Sequence, residues 1–162
     1  MNLDKHKIIE DPFLNIVLYK PEIPANTGNI ARLCGAATIR LHLIHPLGFS
    51  VDDKHLKRAG LDYWHEVDVT HHEDFESFLK SDDNIFHHLF CFSKFAQKDY
   101  TKAKVLKGSY LLFGQESVGL PETIKETYPG FRIPIFGKVR SLNLSTSVGI
   151  VTYHYLHELG RF

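Results

Sequence analysis

The sequence predicts an α/β fold built on a mostly parallel, doubly wound sheet. Apolar runs of strand length alternate along the chain with segments of helical spacing, which is the pattern of such folds. The 162 residues suffice for one compact domain and are too few for two ordinary ones. Hydrophobic residues make up 43% of the chain, enough for a packed core. We therefore expect a single domain over residues 1–162, with residues 1–12 as a flexible N-terminal extension.

The first half of the chain predicts three strands and three helices. A buried strand covers residues 13–19, and Asn26 or Thr27 then caps a helix that runs to about Thr38. That helix has an apolar stripe at the spacing i, i+3, i+4, i+7, formed by Ile30, Leu33, Cys34 and Ala37. The remaining elements are a strand over 40–45, a short helix over 52–59, a strand over 66–69 and a helix over 71–80.

The second half continues the alternation and ends in a long helix. Pro121 begins a helix over 121–127, since proline is tolerated in the first turn. Asn143 and Ser145 are good N-cap residues for the last helix, over 143–159. Residues 95–107 are the least regular and predict a long loop, and such loops in compact domains are usually functional. Strands are predicted over 85–92, 109–113 and 131–135.

Composition and charge indicate a cytoplasmic protein. No apolar run approaches the ~20 residues that a membrane span needs. The N-terminus lacks the apolar segment of a signal peptide, and Cys34 and Cys91 make no disulfide framework. The formal net charge of zero does not favour a strongly electrostatic nucleic-acid binder. Lysines and arginines nevertheless cluster locally, and pairing of two chains would merge such clusters into a larger basic surface.

The eleven histidines do not form a metal-binding pattern. His71–His72 and His87–His88 are adjacent pairs, and neighbouring residues of a strand point to opposite faces. No H-E-x-x-H or C-x-x-C spacing is present. We therefore expect structural or solvated histidines and no metal, and a buried thiol at Cys34 because it belongs to the apolar stripe.

Three polar segments occur where strands meet helices, at residues 24–34, 111–121 and 133–145. The glycine turn over 114–119 has the glycine spacing of a phosphate loop but lacks its Lys-Ser/Thr. A glycine-rich turn after a strand still suits a ligand near the strand carboxyl ends. Glu116 is the acid of that turn, and it either accepts backbone amides or contacts RNA or a cofactor. Arg32 lies about 200° around the first helix from Ile30, off the apolar stripe, where it is either a surface residue or a functional one.

In their order and spacing, these three segments resemble the three motifs of the SPOUT class of RNA methyltransferases. The resemblance extends from Asn15 to Leu159. Within this class the chain is most similar to the tRNA (cytidine/uridine) 2'-O-methyltransferases, which act on the wobble nucleotide. The resemblance implies a C-terminal trefoil knot, S-adenosylmethionine as the cofactor, tRNA as the partner and a homodimer through the first and last helices. Residues 15–19, 21–24 and 58–63 also resemble that group.

The resemblance also implies roles for individual residues. Arg32 would handle the attacking ribose hydroxyl, and no metal would take part. The cofactor would lie against Phe92, Ser93, Gly114, Glu116, Ile133, Ile135, Ser141, Leu142 and Asn143. RNA would be contacted by Asn26, Asn29, Arg58, Arg140 and Tyr153.

Two alternatives stay open at the level of the sequence. One is a 2'-O-methyltransferase of the same fold that acts on another tRNA position or on ribosomal RNA. Such relatives usually carry an added RNA-binding domain, for which this chain has no room. The other is a non-catalytic RNA-binding module of the same fold, against which Arg32, Asn143 and Ser145 argue.

Overall fold

The computed structural model describes residues 7–51, 54, 58 and 61–162. Within these residues, seven strands form one sheet in the order β3-β2-β1-β6-β4-β7-β5, and every neighbouring pair is parallel. The strands are β1 (Asn15–Tyr19), β2 (Arg40–Ile44), β3 (Val69–His72), β4 (Leu89–Phe92), β5 (Lys98–Asp99), β6 (Tyr110–Phe113) and β7 (Gly130–Arg132). The helices are α1 (Pro24–Ala37), α2 (Phe75–Lys80), α3 (Glu122–Thr127) and α4 (Leu144–Glu158), with 3₁₀ turns at Leu61–Glu66, Ile85–His87 and Tyr100–Lys102.

Helices cover both faces of the sheet. Successive strand residues point to opposite faces, so neighbours along one strand belong to different core clusters. Ile16 and Leu18 of β1 face the cluster that includes α1 and α4. Val17 faces the second cluster, which includes α2 and α3. The α/β prediction with a mostly parallel, doubly wound sheet is confirmed, and the trefoil knot stays a prediction. None of the described helices is long and apolar enough to cross a membrane.

Helix α1 buries the face that its apolar stripe predicts. On α1, Ile30 and Cys34 are fully buried, whereas Arg32 is exposed, as its helical phase predicts. On α4, Val148 and Val151 are fully buried. Asn143 caps α4 as predicted, since its side chain accepts from backbone N–H groups of the first turn.

The predicted start of α1 is wrong. The helix begins at Pro24, and Ile23 is its N-cap residue without a side-chain cap. Proline suits the first helical turn because its φ is already helical and it has no N–H to satisfy. Asn26 and Thr27 consequently lie inside the helix, where both are buried.

Several other predicted bounds also differ from the structure. The strand predicted at 66–69 is β3, from Val69 to His72, and the helix predicted over 71–80 begins only at Phe75. Asp74 separates the two, because its carboxylate caps α2 by accepting from Ser77 N at 2.7 Å. Ile85–His87 forms a 3₁₀ turn before β4, and the predicted loop 95–107 contains β5 and another 3₁₀ turn. The helix predicted over 52–59 lies mostly outside the described residues.

Residues at the start of the described chain are hydrogen-bonded to the sheet edge. Lys7 N donates to His65 O, and Ile9 N donates to Asp68 Oδ2 at 2.8 Å. The Asp68 carboxylate also pairs with Arg40 Nε at 2.8 Å. Of the predicted extension over 1–12, residues 1–6 lie outside the described residues.

Candidate active site

A pocket of about 530 Å³ opens beyond the carboxyl ends of β4 and β6. This is the edge at which open parallel sheets bind their ligands. Three loops build its walls: the segment that enters α1, the glycine turn after β6 and the junction that leads into α4. All nine residues predicted to bind the cofactor line this pocket: Phe92, Ser93, Gly114, Glu116, Ile133, Ile135, Ser141, Leu142 and Asn143.

Glu116 joins the glycine turn to the segment that enters α1. Its carboxylate accepts from Glu22 N at 2.8 Å, from Ile23 N at 3.1 Å and from Asn26 Nδ2 at 3.4 Å. The sequence left two roles open for Glu116, acceptance of backbone amides or contact with RNA or a cofactor, and the structure contains the first. Glu116 accepts backbone amides, but they belong to a different loop, which is 93 and 94 residues away along the chain.

Glu22 returns this contact from the opposite loop. Its carboxylate accepts from Gln115 Nε2 at 3.1 Å, from Ser117 N at 3.1 Å and from Ser117 Oγ at 2.6 Å. The two loops therefore exchange carboxylates, each satisfying amide donors of the other. A carboxylate that accepts several N–H or O–H groups makes charge-assisted hydrogen bonds, which hold geometry better than neutral ones.

The glycine turn is closed by backbone bonds and by the absence of side chains. Gln115 and Gly119 are joined by two backbone hydrogen bonds, of 3.2 and 2.9 Å. Gly119 has a φ of +70°, a conformation that favours glycine. A Cβ at Gly114 would lie 2.4 Å from the backbone carbon of Gly119, so only glycine fits there.

Asn143 ties the third loop to the first. Its Oδ1 accepts from Ser145 N at 2.9 Å and from Thr146 N at 3.3 Å, which caps α4. Its Nδ2 donates to Asn26 Oδ1 at 3.0 Å. Asn26 thus contacts both other loops, because its own Nδ2 reaches Glu116. A single hydrogen-bonded network connects all three motif segments around the pocket.

The pocket combines a flat apolar floor with polar rims. Phe92 and Phe113 stack with ring centroids 5.2 Å apart, and Ile133, Ile135 and Leu142 add half-buried aliphatic surface. Its volume falls within the range of small-molecule sites. These features fit a nucleoside-containing cofactor, whose base needs an apolar slot and whose ribose needs polar partners.

Arg32 does not line this pocket. It lies on the exposed stripe of α1 with Asn29 and Ala36, six residues beyond Asn26 and therefore about 9 Å further along the helix axis. Its guanidinium lies over the ring of Tyr63, with 5.4 Å from Cζ to the ring centroid. Tyr63 belongs to the 3₁₀ turn Leu61–Glu66. No local pattern in the sequence predicts this contact.

The residues predicted to contact RNA divide into two groups. Asn29, Arg58, Arg140 and Tyr153 are all exposed. Asn26 is 4% exposed and belongs to the pocket wall, so its contacts are with protein groups. Tyr153 lies on α4 and has its ring 6.2 Å from that of Phe162.

The histidines near the sheet interior have structural roles. His42 Nδ1 lies 2.9 Å from His72 Nε2, and its Nε2 lies 3.1 Å from Asn15 Oδ1. Burial, with a further contribution from His72, lowers the pKa of His42 to about 3. His72 is buried whereas His71 is exposed, as expected for neighbours on a strand. Cys34 is fully buried, and burial raises the pKa of its thiol.

Metal ligands are not clustered in the part of the chain that the structure describes. No group of three or more His, Cys, Asp or Glu side chains there is placed to hold a metal ion.

The chain is similar to known methyltransferases in sequence and in fold. The chain matches the model of the SpoU rRNA Methylase family over residues 13–153. It is 45% identical over 150 residues to the tRNA (cytidine(34)-2'-O)-methyltransferase of Escherichia coli K12, covering 91% of this chain and 94% of that protein. The Yersinia pestis protein of the same name is 45% identical over 153 residues, with coverage of 91% and 94%.

Two solved structures have folds similar to that of this chain. A structure from work on the 2-OH methylation of C/U34 on tRNA superposes with a TM-score of 0.85 at 45% identity, covering 93% of this chain and 99% of that one. The SpoU methyltransferase AviRb from Streptomyces viridochromogenes, in complex with the cofactor AdoMet, shares the fold with a TM-score of 0.78 at 17% identity, covering 93% and 59% of the two chains.

Proposed function

The chain belongs to the SpoU rRNA methylase family, and from that premise we propose that it methylates the 2'-hydroxyl of nucleotide 34 of tRNA, a cytidine or a modified uridine, with S-adenosylmethionine as methyl donor. The observation that carries the proposal is the convergence of three motif segments on one pocket. The relatives that span almost the same length as this chain are named for that reaction. The protein would act in the cytoplasm.

The three loops are suited to hold the cofactor. When bound, S-adenosylmethionine supplies a methyl group on a sulfonium, which is already electrophilic. Ile133, Ile135 and Leu142 would enclose its adenine, since apolar side chains line most nucleoside pockets. The turn at Gly114 and the junction at Ser141 would offer backbone groups to the ribose and the amino-acid moiety. Because the sulfonium already makes the methyl group electrophilic, the proposed reaction needs no metal.

Arg32 would act on the acceptor rather than on the cofactor. A guanidinium does not lose its proton in proteins, so Arg32 is a poor general base. It can orient the ribose hydroxyl and stabilise the negative charge that develops on the oxygen as its proton is removed. The oxygen then takes the methyl group as the S–CH3 bond breaks, which leaves a neutral thioether. Asn29, Arg58, Arg140 and Tyr153 would contact the RNA, and Tyr153 could stack on an exposed anticodon base.

The exposed surface of α4 supports an interface with a second copy. Ile150 and Tyr153 of α4 are 36% and 43% exposed, so this helix has apolar surface beyond its core stripe. We infer a homodimer through α1 and α4, which would place the Arg32 stripe next to a second copy. Sedimentation at micromolar concentration tests it, and a fully active monomer would reject it.

Mapping of ribose methylation in cellular RNA tests the function. A strain without the gene should lose 2'-O-methylation at nucleotide 34 of a subset of tRNAs, and the wild-type gene should restore it. A gene for Arg32→Ala should not. Loss at a different tRNA position or in ribosomal RNA would assign the alternative substrate. Unchanged methylation in all RNAs would favour the non-catalytic module.

A further inference from the structure

We propose that Tyr63 is a positioning residue for Arg32, holding the guanidinium in the orientation that methyl transfer requires. The inference rests on the proposed function, because it takes Arg32 as the group that acts on the acceptor hydroxyl. Tyr63 would not touch the cofactor or the reacting atoms. It would act through Arg32 alone.

The contact between the two side chains leaves Arg32 able to bind a substrate. The guanidinium lies 5.4 Å from the ring centroid, within the range of a cation–π contact. A ring engages the face of a guanidinium, whereas the N–H donors lie at its edge. A carboxylate partner would occupy those donors and compensate the charge. Among the described residues Arg32 has no ion pair. The ring therefore restrains Arg32 without a compensating negative charge, so the guanidinium can still bind a hydroxyl or a phosphate.

Core packing fixes Tyr63 relative to α1. The next residue, Trp64, is 3% exposed, and Val67 is 1% exposed. Both belong to the same core cluster as Ile30, which lies on α1. The ring of Tyr63 itself is 51% exposed, so it is presented at the surface by a buried neighbour.

A close approach between the two segments supports this arrangement. A Cβ placed on Gly35 of α1 would lie 3.3 Å from Val67 Cγ2. Glycine at that position therefore lets the 3₁₀ segment pack tightly against the helix. Because the two backbones are held by the core, the ring of Tyr63 restricts Arg32 without either residue having to be buried.

Restricting a long side chain matters for catalysis on an exposed surface. An unrestrained arginine populates many rotamers, and only those that point at the acceptor oxygen contribute to the rate. The ring selects a small set of them before RNA binds. The expected consequence is an effect on kcat, with little effect on cofactor binding or on the stability of the fold.

Kinetic comparison of ring-retaining and ring-removing variants tests the proposal. Tyr63→Phe keeps the ring and Tyr63→Leu removes it, and each is assayed for methyl transfer to tRNA, cofactor affinity and thermal melting. We expect Tyr63→Leu to lower kcat by about three- to fivefold, the upper part of the range that cation–π energies at exposed sites correspond to. Tyr63→Phe should stay within about twofold of wild type, and the melting temperature and cofactor Kd should not change.

A double variant identifies the route of the effect. If Tyr63 acts through Arg32, the Tyr63→Leu change should slow wild type but not slow Arg32→Ala further. Additive losses, a change confined to KM for tRNA, or a Tyr63→Phe variant as slow as Tyr63→Leu would each overturn the proposal. A Tyr63→Leu variant with wild-type kcat would also overturn the proposal. If Arg32→Ala is slow in the same assay, the proposed function stays intact. A fully active Arg32→Ala variant would instead remove the catalytic role assigned above.

Discussion

The cofactor pocket and the exposed face of α1 are built in opposite ways. Around the pocket, Glu22, Glu116 and Asn143 connect three loops through hydrogen bonds of 2.6–3.4 Å, most of them charge-assisted. On the face of α1, Arg32 is exposed and its contact in the described structure is one aromatic ring. The cofactor site is thus organised within a single chain. The acceptor site is open and would be completed by RNA and a second copy.

This difference separates two kinds of variant. Changes in the pocket should reduce cofactor affinity and stability together, because the same hydrogen bonds support both. Changes on the face of α1 should reduce the rate of methyl transfer alone. A pocket variant that loses only the rate of methyl transfer, or an α1-face variant that loses cofactor affinity, would break that separation.

The largest effect is expected from Arg32→Ala. Removing a donor that stabilises charge in the transition state typically lowers the rate by about two to three orders of magnitude. Cofactor Kd and melting temperature should stay near wild type, because Arg32 does not line the pocket and its loss leaves no cavity. Transfer of labelled methyl to tRNA, beside calorimetric cofactor titration, measures both. Retention of most activity would make Arg32 a surface residue.

Gly114→Ala should abolish cofactor binding or weaken it by more than about tenfold. The added methyl would lie 2.4 Å from the Gly119 backbone, so the turn has to move. Gly137→Ala is the matched control, because nothing lies within 4 Å of its Cβ position. Calorimetric titration of both variants with S-adenosylmethionine measures the difference in affinity. Equal affinities would show that the turn does not shape the pocket.

Glu116→Ala should have a smaller effect on affinity and a measurable one on stability. It leaves the part-buried amide of Glu22 and the exposed amide of Ile23 without their acceptor, and we expect a loss of about 1 kcal/mol, mainly from the Glu22 amide. Glu116→Gln keeps the shape and one acceptor oxygen, so it should lie between Ala and wild type. Urea unfolding with and without S-adenosylmethionine measures both quantities. An Ala variant as stable as wild type would mean that water replaces the lost acceptor.

Acid should destabilise the fold through His42, which lies in the sheet interior. His42 has a pKa of about 3 in the folded protein, against an ordinary value near 6.5 in the unfolded chain. The unfolded state therefore binds the extra proton between these values, so the free energy of unfolding falls as pH falls from about 6.5. The loss is about 1.4 kcal/mol per pH unit from this group. Urea unfolding at pH 7 and pH 5 should show a shallower dependence in His42→Gln, and an unchanged slope would contradict the assignment.

Local signals in the sequence predicted the parts of the fold that depend on neighbours along the chain. Asn143 is an example, because an N-cap acts on the residues that follow it. The same signal predicts a cap at Asn26 or Thr27, which is wrong, since Pro24 already begins α1 and leaves both residues inside the helix. The boundary between β3 and α2 was missed because its determinant is the Asp74 cap rather than hydrophobic periodicity.

Contacts between distant segments explain what the sequence did not predict. The family motifs predict the nine cofactor residues, and in the structure all of them line one cavity. The exchange between Glu22 and Glu116 joins loops 90 or more residues apart. Glu22 lies in the segment 21–24 that resembles the family, but no local pattern predicts which residues it contacts. The contact of Tyr63 with Arg32 was missed for the same reason.

Methyl transfer to a pair of anticodon stem-loops tests the central claim most directly. The two RNAs are identical except that nucleotide 34 carries a 2'-hydroxyl in one and a 2'-deoxyribose in the other. With labelled S-adenosylmethionine, the account predicts incorporation into the first and none into the second. Equal incorporation into both would place the methyl group elsewhere and contradict the proposed function.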